Sequence, residues 1–194
     1  MLAELLNCHA VRPLPEVHST ESISALLEQC ESIQKAVETF IREIPLEYLN
    51  EQGYPEGWSP ARNIKHVGNS LTLFSKFIGA PAWFIALFGK AKASMPPIES
   101  VRPTNRPPRY DYGTYKPGKP CTEEKREALI QGLARSFERF KKSLQKRNEE
   151  EMDRRKGLFG GMSLRLFAHF VLKHTVFHLQ VVRTRLQTAS ELAG

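Results

Sequence analysis

Four stretches of the chain repeat apolar residues at the three- and four-residue spacing of an amphipathic helix. The first covers about residues 20–43 after a Ser/Thr-rich start, and Pro45 ends or kinks it. The second opens at Ser59, a favoured N-cap residue, with Pro60 at the first helical position. The apolar positions of these two helices are Ile23, Leu26, Leu27, Cys30, Ile33, Val37, Phe40 and Ile44, followed by Ile64, Val67, Leu71, Phe74 and Ile78.

Two further helices are predicted in the second half of the chain. The third takes Thr122 as its N-cap and carries Glu123 and Glu124 in its first turn, where acidic groups favour the helix dipole. The fourth covers residues 163–186. No run of alternating apolar and polar residues between the helices indicates strands. Four amphipathic helices that share one core predict an all-α fold, specifically a four-helix bundle.

A long connection separates the second and third helices. Its second half, residues 94–121, is rich in proline from Pro96 to Pro120 and cannot form a regular helix. Such a crossover allows the second and third helices to run in the same direction. Residues 81–92 predict a short helix whose apolar side chains form a lid over the bundle end, in preference to an interfacial membrane contact. The apolar run is too short to span a bilayer, so no transmembrane segment is predicted.

Length and composition favour one domain. The 194 residues are enough to bury a substantial core, so we expect a single bundle domain over residues 1–194, with residues 1–18 irregular. Glu4 and Asn7 interrupt the apolar residues at the start, which argues against a signal peptide and makes the cytoplasm the expected compartment. Three cysteines without C-x-x-C spacing argue against a disulfide framework.

The formal net charge of +7 is concentrated in the crossover. Residues 89–121 carry seven Lys or Arg against Glu99 and Asp111, a net charge of +5. This basic segment can contact nucleic acid, form a solvated loop packed by tyrosines, or attract an anionic substrate to a nearby site. We favour the solvated loop over nucleic acid binding. The basic and aromatic residues that this segment brings together are Arg102, Arg106, Arg109, Tyr110, Tyr112 and Tyr115.

Two histidines stand on the apolar face of the fourth helix. At about 100° per residue, His174 and His178 share a face with Phe167, Val171 and Val181. Imidazoles four residues apart on one helix face can reach a single metal ion, whereas unpaired imidazoles in apolar surroundings are costly. The pattern favours metal ligation over a hydrogen-bonded core pair, and a third ligand must then come from elsewhere.

His66 in the second helix is the third candidate ligand. It lies about 120° from the centre of the main apolar stripe, although Leu73 and Phe77 share its side. Taken alone, its position slightly favours an ordinary surface or core histidine over a ligand. His169 points about 160° away from the His174 and His178 face, and His9 and His18 are expected to be solvated.

Short motifs along residues 20–187 resemble the DinB-like, or damage-inducible-type, four-helix metalloproteins. The resemblance implies that His66, His174 and His178 hold a divalent metal, with open coordination positions for water or a substrate thiolate. Some relatives place an extra histidine or acid where this chain has Val176 and Phe177, so no fourth protein ligand is implied. The matching pieces are Gly57-Trp58-Ser59-Pro60 before His66, the run from Leu158 to Ser163, and the run from Lys173 to Gln180.

Two classes of function follow. The first, which the resemblance implies, is a metal-dependent thiol transferase, isomerase or hydrolase of the kind found among DinB-like proteins, using nickel, zinc or iron and acting on a small molecule such as an anionic thiol. Ser70 and Gln180 are then supporting groups, and no carboxylate stands out as a general base. The second is a non-enzymatic helical module that dimerises, or that binds a partner such as nucleic acid through its crossover.

A metal site of this kind makes a geometric prediction. The three imidazoles should converge to within about 3 to 4 Å of one another, as ligand bonds of about 2.1 Å to one ion require. The second helix must then pack beside the fourth. We expect the site in a cleft near a face or an end of the bundle, with Trp58 flanking it.

Overall fold

The computed structural model describes residues 13–51, 57–104, 115 and 118–191. Several sequence-based expectations therefore lie outside the described residues. They are those for the amino-terminal residues 1–12, including His9, and those for Arg106, Arg109, Tyr110 and Tyr112 in the crossover.

The described part of the chain is helical, without a strand, and the predicted all-α fold is confirmed. The four predicted helices are all present, and three short helices and one 3₁₀ turn connect them. The long helices are α1 (Ile23–Glu43), α3 (Pro60–Ile78), α5 (Glu123–Gln145) and α7 (Leu164–Glu191). The short ones are α2 (Leu46–Leu49), α4 (Ala82–Ala86) and α6 (Glu149–Arg154), and the 3₁₀ turn is Ile98–Ser100.

Hydroxyl side chains cap three of the long helices, and this capping determines where they begin. Ser22 accepts a hydrogen bond from the amide of Ala25, so α1 begins three residues later than the sequence pattern predicted. The other two N-caps are at the predicted residues. Ser59 caps α3 through the amide of Arg62, and Thr122 caps α5 through the amide of Lys125.

The α3 and α5 helices pack side by side and run in the same direction. Gly68 faces Ser136, and Gly79, immediately after α3, faces Ser143, so contacts advance along both helices together. The Thr72 hydroxyl also donates to that of Ser136 over 3.1 Å. Small residues at these positions let the helix backbones approach closely. The long crossover therefore has the topological role that the sequence predicted.

The pairs α1–α5 and α3–α7 run antiparallel. Arg42 near the end of α1 pairs with Glu127 near the start of α5, and Glu31 pairs with Lys141. In the same way, early residues of α3 meet late residues of α7. The result is an up-down-down-up bundle in which α3 lies between α5 and α7. Helices α3 and α7, which carry the three candidate histidines, are thus neighbours.

The predicted short helix after α3 is present, but it is not the closed lid that its composition suggested. Ile85 is buried and Phe88 contacts Phe77. Trp83 and Leu87 remain 68% and 74% exposed, because a five-residue helix can turn only one side toward the bundle. None of the described helices combines the length and apolar character that a membrane crossing requires.

Candidate metal centre

The three candidate histidines converge between α3 and α7. The Nε2 atoms of His66 and His174 are 3.4 Å apart, and the ring of His178 lies 4.6 Å from that of His66 and 4.5 Å from that of His174, between centroids. One potential ligand nitrogen from each ring falls within 4.8 Å of the others, a slightly wider spacing than predicted. Each residue is half-buried, which places the cluster at a face of the bundle. Among the described residues, no carboxylate or thiol joins this group.

The spacing of the rings fits a divalent ion. Two nitrogens held at about 2.1 Å from a tetrahedral ion are about 3.4 Å apart, the separation found between the Nε2 atoms of His66 and His174. As a hydrogen bond between two ring nitrogens, this distance lies beyond the usual range. Three imidazoles without acid or thiolate suit borderline metals such as zinc, nickel and iron. The donor set and its spacing therefore match the metal that the resemblance implies.

Asn63 orients one of the three rings. Its side-chain oxygen accepts a hydrogen bond from Nδ1 of His178 over 3.1 Å. The amide nitrogen of Asn63 donates to the carbonyls of Trp58 and Ser59, which holds the amide in one orientation. His178 therefore carries its proton on Nδ1 and keeps the Nε2 lone pair for a metal. Sequence reasoning missed Asn63, although a buried amide one turn before His66 was a usable signal.

Ser70 and Gln180, the supporting groups suggested from the sequence, do not orient the histidine rings as Asn63 does. Ser70 makes no hydrogen bond to the cluster in the described part of the chain. Gln180 lines a separate pocket of about 340 Å³ with Glu16, Glu99 and Lys173. Phe177 stands between that pocket and the histidines, because it lines the large pocket and also contacts His178 at 5.7 Å.

Burial makes His174 a neutral imidazole. Desolvation, reinforced by the nearby His66, lowers the pKa of His174 to about 4. Metal ions bind the neutral form of histidine, so His174 needs to lose no proton to ligate near neutral pH. Its Nδ1 is buried and has no hydrogen-bond partner among the described residues. Packing, rather than a hydrogen bond, thus sets the orientation of this ring.

Aromatic side chains enclose the cluster. The predicted flanking position of Trp58 is confirmed, because its ring meets that of His66 edge-on at 4.9 Å and lies nearly parallel to that of His178 at 6.1 Å. Phe170 stacks beside His174 at 6.4 Å. These rings exclude water from the sides of the site and lower the local dielectric constant.

A small pocket opens beside His178. Its free volume of about 20 Å³ is room for about one water molecule or one small functional group. Because His178 lines the pocket, any group that enters it lies next to the cluster. The lining residues are Trp58, Asn63, Phe177, His178, Val181 and Arg185.

The remaining described histidines are not part of the cluster. His169 is only 2% exposed and points away from His174 and His178, as predicted. Its Nδ1 donates to the carbonyl of Arg165 over 2.9 Å, and its Nε2 accepts from the amide of Thr20 over 3.1 Å. The side chain of His18 is 62% exposed and lies 3.9 Å from Glu99, in agreement with the expected solvated position.

A family model of the DinB superfamily matches residues 29–182, a span that includes α3 with His66, α5, and the part of α7 that carries His174 and His178. No curated protein and no solved structure matches the chain.

Proposed function

Because the chain belongs to the DinB superfamily, we propose that it is a metal-dependent enzyme that acts on a small molecule. In this proposal His66, His174 and His178 hold a nickel, zinc or iron ion. The reaction is of the thiol transferase, isomerase or hydrolase kind. The observation that supports the proposal is the convergence of three imidazoles from two helices, with one nitrogen of each within 4.8 Å of the others.

The residues around the proposed metal site have distinct roles. When bound, a divalent ion supplies Lewis-acid chemistry that lowers the pKa of a water or thiol beside it. Asn63 keeps the proton of His178 on Nδ1 and so directs Nε2 toward the ion. Trp58 and Phe170 shield the rings from solvent, and the pocket beside His178 receives the reacting group of the substrate.

The experiment that tests the proposal is metal analysis of protein purified without a histidine tag. We expect about one divalent ion per chain. Each of His66→Ala, His174→Ala and His178→Ala should lower metal affinity at least ~10-fold, because each removes one of three protein ligands. His18→Ala is the matched control, because this histidine is exposed and is not part of the cluster. Equal occupancy in the wild type and all three cluster variants would disprove the proposal.

A second candidate is a non-enzymatic helical module that dimerises or binds a partner. The observation in its favour is the exposure of Trp83 and Leu87, which a partner would cover. The absence of a carboxylate from the cluster, within the described residues, also favours a role without acid–base chemistry. Light scattering tests dimerisation through the face that carries Trp83 and Leu87. A wild-type dimer that Trp83→Ser and Leu87→Ser convert to a monomer supports the module. A wild type that is itself monomeric excludes dimerisation through this face.

A further inference from the structure

Within the described ranges, the large apolar side chains that are exposed lie toward one end of the bundle, where α3 and α5 finish and α7 begins. They come from the second half of α3, from α4 and the turn after it, and from the loop before α7. Single exposed apolar residues are ordinary on a protein surface, whereas their concentration in one region indicates a binding surface. We call these residues the apolar patch, and they are Leu73, Trp83, Phe84, Leu87, Phe88 and Phe159.

Ring contacts connect the apolar patch to the core. Trp83 packs against Phe84 with 5.9 Å between ring centroids, and Phe84 packs against Phe88 at 5.4 Å. Phe88 in turn contacts the buried ring of Phe77 at 5.0 Å. Phe159 joins the same cluster of rings from the loop before α7. The patch is therefore supported by the bundle while its outer side chains face solvent.

Basic residues border the apolar patch. Lys90 and Lys92 follow α4 directly, and both are exposed. The amide of Lys92 donates to the carbonyl of Gly161, two residues after Phe159, and the aliphatic chain of Lys92 lies against that glycine. Lys90 pairs with Arg155 in an antiparallel bridge, which adds a third cation to the border. Within the described residues, no carboxylate forms an ion pair with these three side chains.

The acidic residues of α6, which lie near this border, already face arginines. Glu149 and Asp153 pair with Arg165, Glu150 pairs with Arg154, and Glu151 pairs with Arg147. The charge of the whole region remains positive. Residues 73–92 and 145–165 carry nine Lys or Arg against four Glu or Asp, a net charge of +5.

We propose that the apolar patch and its basic border bind a membrane surface that contains anionic lipid. Large apolar side chains can enter the boundary between headgroups and acyl chains, a position that the amphipathic ring of tryptophan favours. Lysine and arginine at the border then meet lipid phosphates, and each adds to the attraction. Charge also favours a membrane over a second copy of the chain, because a symmetric dimer through the patch would bring the same cations together.

This inference goes beyond the proposed function and does not depend on a bound metal. From the sequence alone, residues 81–92 favoured a lid over an interfacial membrane contact, and the exposure of Trp83 and Leu87 reverses that preference. None of the variants below replaces one of the three clustered histidines, so their metal content should equal that of the wild type.

Flotation with lipid vesicles tests the proposal. Vesicles of phosphatidylcholine alone are compared with vesicles of phosphatidylcholine and phosphatidylglycerol in equal amounts. We expect the wild type to bind the anionic vesicles at least ~10-fold more tightly, because several cations face the lipid. Trp83→Ser with Leu87→Ser should weaken this binding at least ~10-fold, whereas Trp83→Phe with Leu87→Met should retain it. Both side chains are mostly exposed, so these replacements leave the core intact.

A second pair of variants tests the basic border. Lys90→Gln with Lys92→Gln should remove most of the preference for anionic vesicles. The matched control is Lys119→Gln with Lys125→Gln, which removes the same charge from exposed positions at the other end of α5. The length of α5, about 30 Å, exceeds the distance over which salt screens a charge, so the control should keep the preference.

Fluorescence tests whether the patch itself enters the lipid. The chain has two tryptophans, of which Trp58 packs against His66 and Trp83 lies in the apolar patch. Brominated lipid should quench the fluorescence of the wild type on binding. Trp83→Phe should still bind the anionic vesicles but should lose most of the quenching, because Trp58 is held within the histidine cluster.

Several outcomes would overturn the proposal. They are a wild type that binds neither kind of vesicle or binds both equally, undiminished binding by the variant with Trp83→Ser and Leu87→Ser, and quenching that persists in Trp83→Phe. A wild-type dimer that does not bind vesicles, and that Trp83→Ser and Leu87→Ser convert to a monomer, assigns the patch to a second copy instead. The metal site stands or falls separately, by the metal analysis described above.

Discussion

Two kinds of histidine lie on α7. His169 has a structural role, whereas His174 and His178 belong to the candidate metal centre. His169 has both ring nitrogens bonded to backbone atoms, one at Arg165 on its own helix and one at Thr20 just before α1. His174 and His178 instead face another histidine across the helix interface. Burial lowers the pKa of His169 and of His174 alike, to about 4. A lowered pKa therefore does not identify the site, whereas the partners of each ring do.

The comparison also explains why one helix can carry both kinds. His169 lies about 140° around the helix from His174, so it faces the start of α1 while the pair faces α3. A backbone amide and a carbonyl satisfy a neutral imidazole completely. Within the described part of the chain no acidic group joins the three imidazoles, and their convergence is the arrangement that a shared cation would require.

The largest expected effect is metal-dependent stability. At a free metal concentration ~1,000 times the Kd, a bound ion should raise the free energy of unfolding by about 4 kcal/mol. Urea denaturation with and without zinc should show this gain in the wild type and in His169→Gln. His178→Ala should lose most of it. A metal-dependent gain of equal size in His178→Ala would remove the distinction between the two kinds of histidine.

The next effect concerns pH and applies to His169. Its pKa is about 4 in the folded protein against 6.5 for an unperturbed histidine, so the unfolded chain takes up a proton first as the pH falls. The stability that His169 contributes is complete above pH 6.5 and is lost between about pH 6.5 and 4, on the order of 3 kcal/mol in total. Urea titrations at pH 7.5 and 4.5, with a chelator present, measure it.

The matched variant is His169→Gln, which should reduce this pH dependence because it removes the buried imidazole. An unchanged pH dependence in His169→Gln would show that this ring is not held neutral.

A smaller effect is expected at Asn63. Asn63→Ala leaves all three imidazoles in place but removes the oxygen that orients His178, so metal affinity should fall about 10-fold. Competition with a chromophoric chelator measures the change. Ser70→Ala serves as the control, since Ser70 makes no hydrogen bond to the described cluster. If the two variants bind metal equally well, Asn63 has no orienting role.

The smallest effect is expected in the crossover. Replacing Arg102, Arg106 and Arg109 with Ser should change the free energy of unfolding by less than about 0.5 kcal/mol, because the sequence predicts a solvated, proline-rich connection that contributes little to the core. Metal affinity should also be unchanged. Fluorescence anisotropy with a single-stranded oligonucleotide provides the decisive measurement. Tight, salt-dependent binding that the triple variant loses would establish a nucleic acid interface instead of a solvated loop.

Local sequence determined the long helices and the shared face of two of the three candidate ligands. Apolar spacing and the hydroxyl caps at Ser59 and Thr122 predicted where the long helices lie, because both act within a few residues of the chain. The shared face of His174 and His178 followed from helical geometry alone. The proline-rich crossover predicted the parallel arrangement of α3 and α5, because a chain of that length and stiffness connects distant ends.

Only the tertiary structure brings His66 to that pair, although the family resemblance had already named it as the third candidate ligand. Helical spacing alone placed His169 away from the pair, whereas His66 meets it because α3 packs against that side of α7. Asn63 gained its role in the same way, from a residue more than 100 positions away. Helical spacing relates neighbours along one helix, whereas the packing of whole helices determines which side chains meet across the interface.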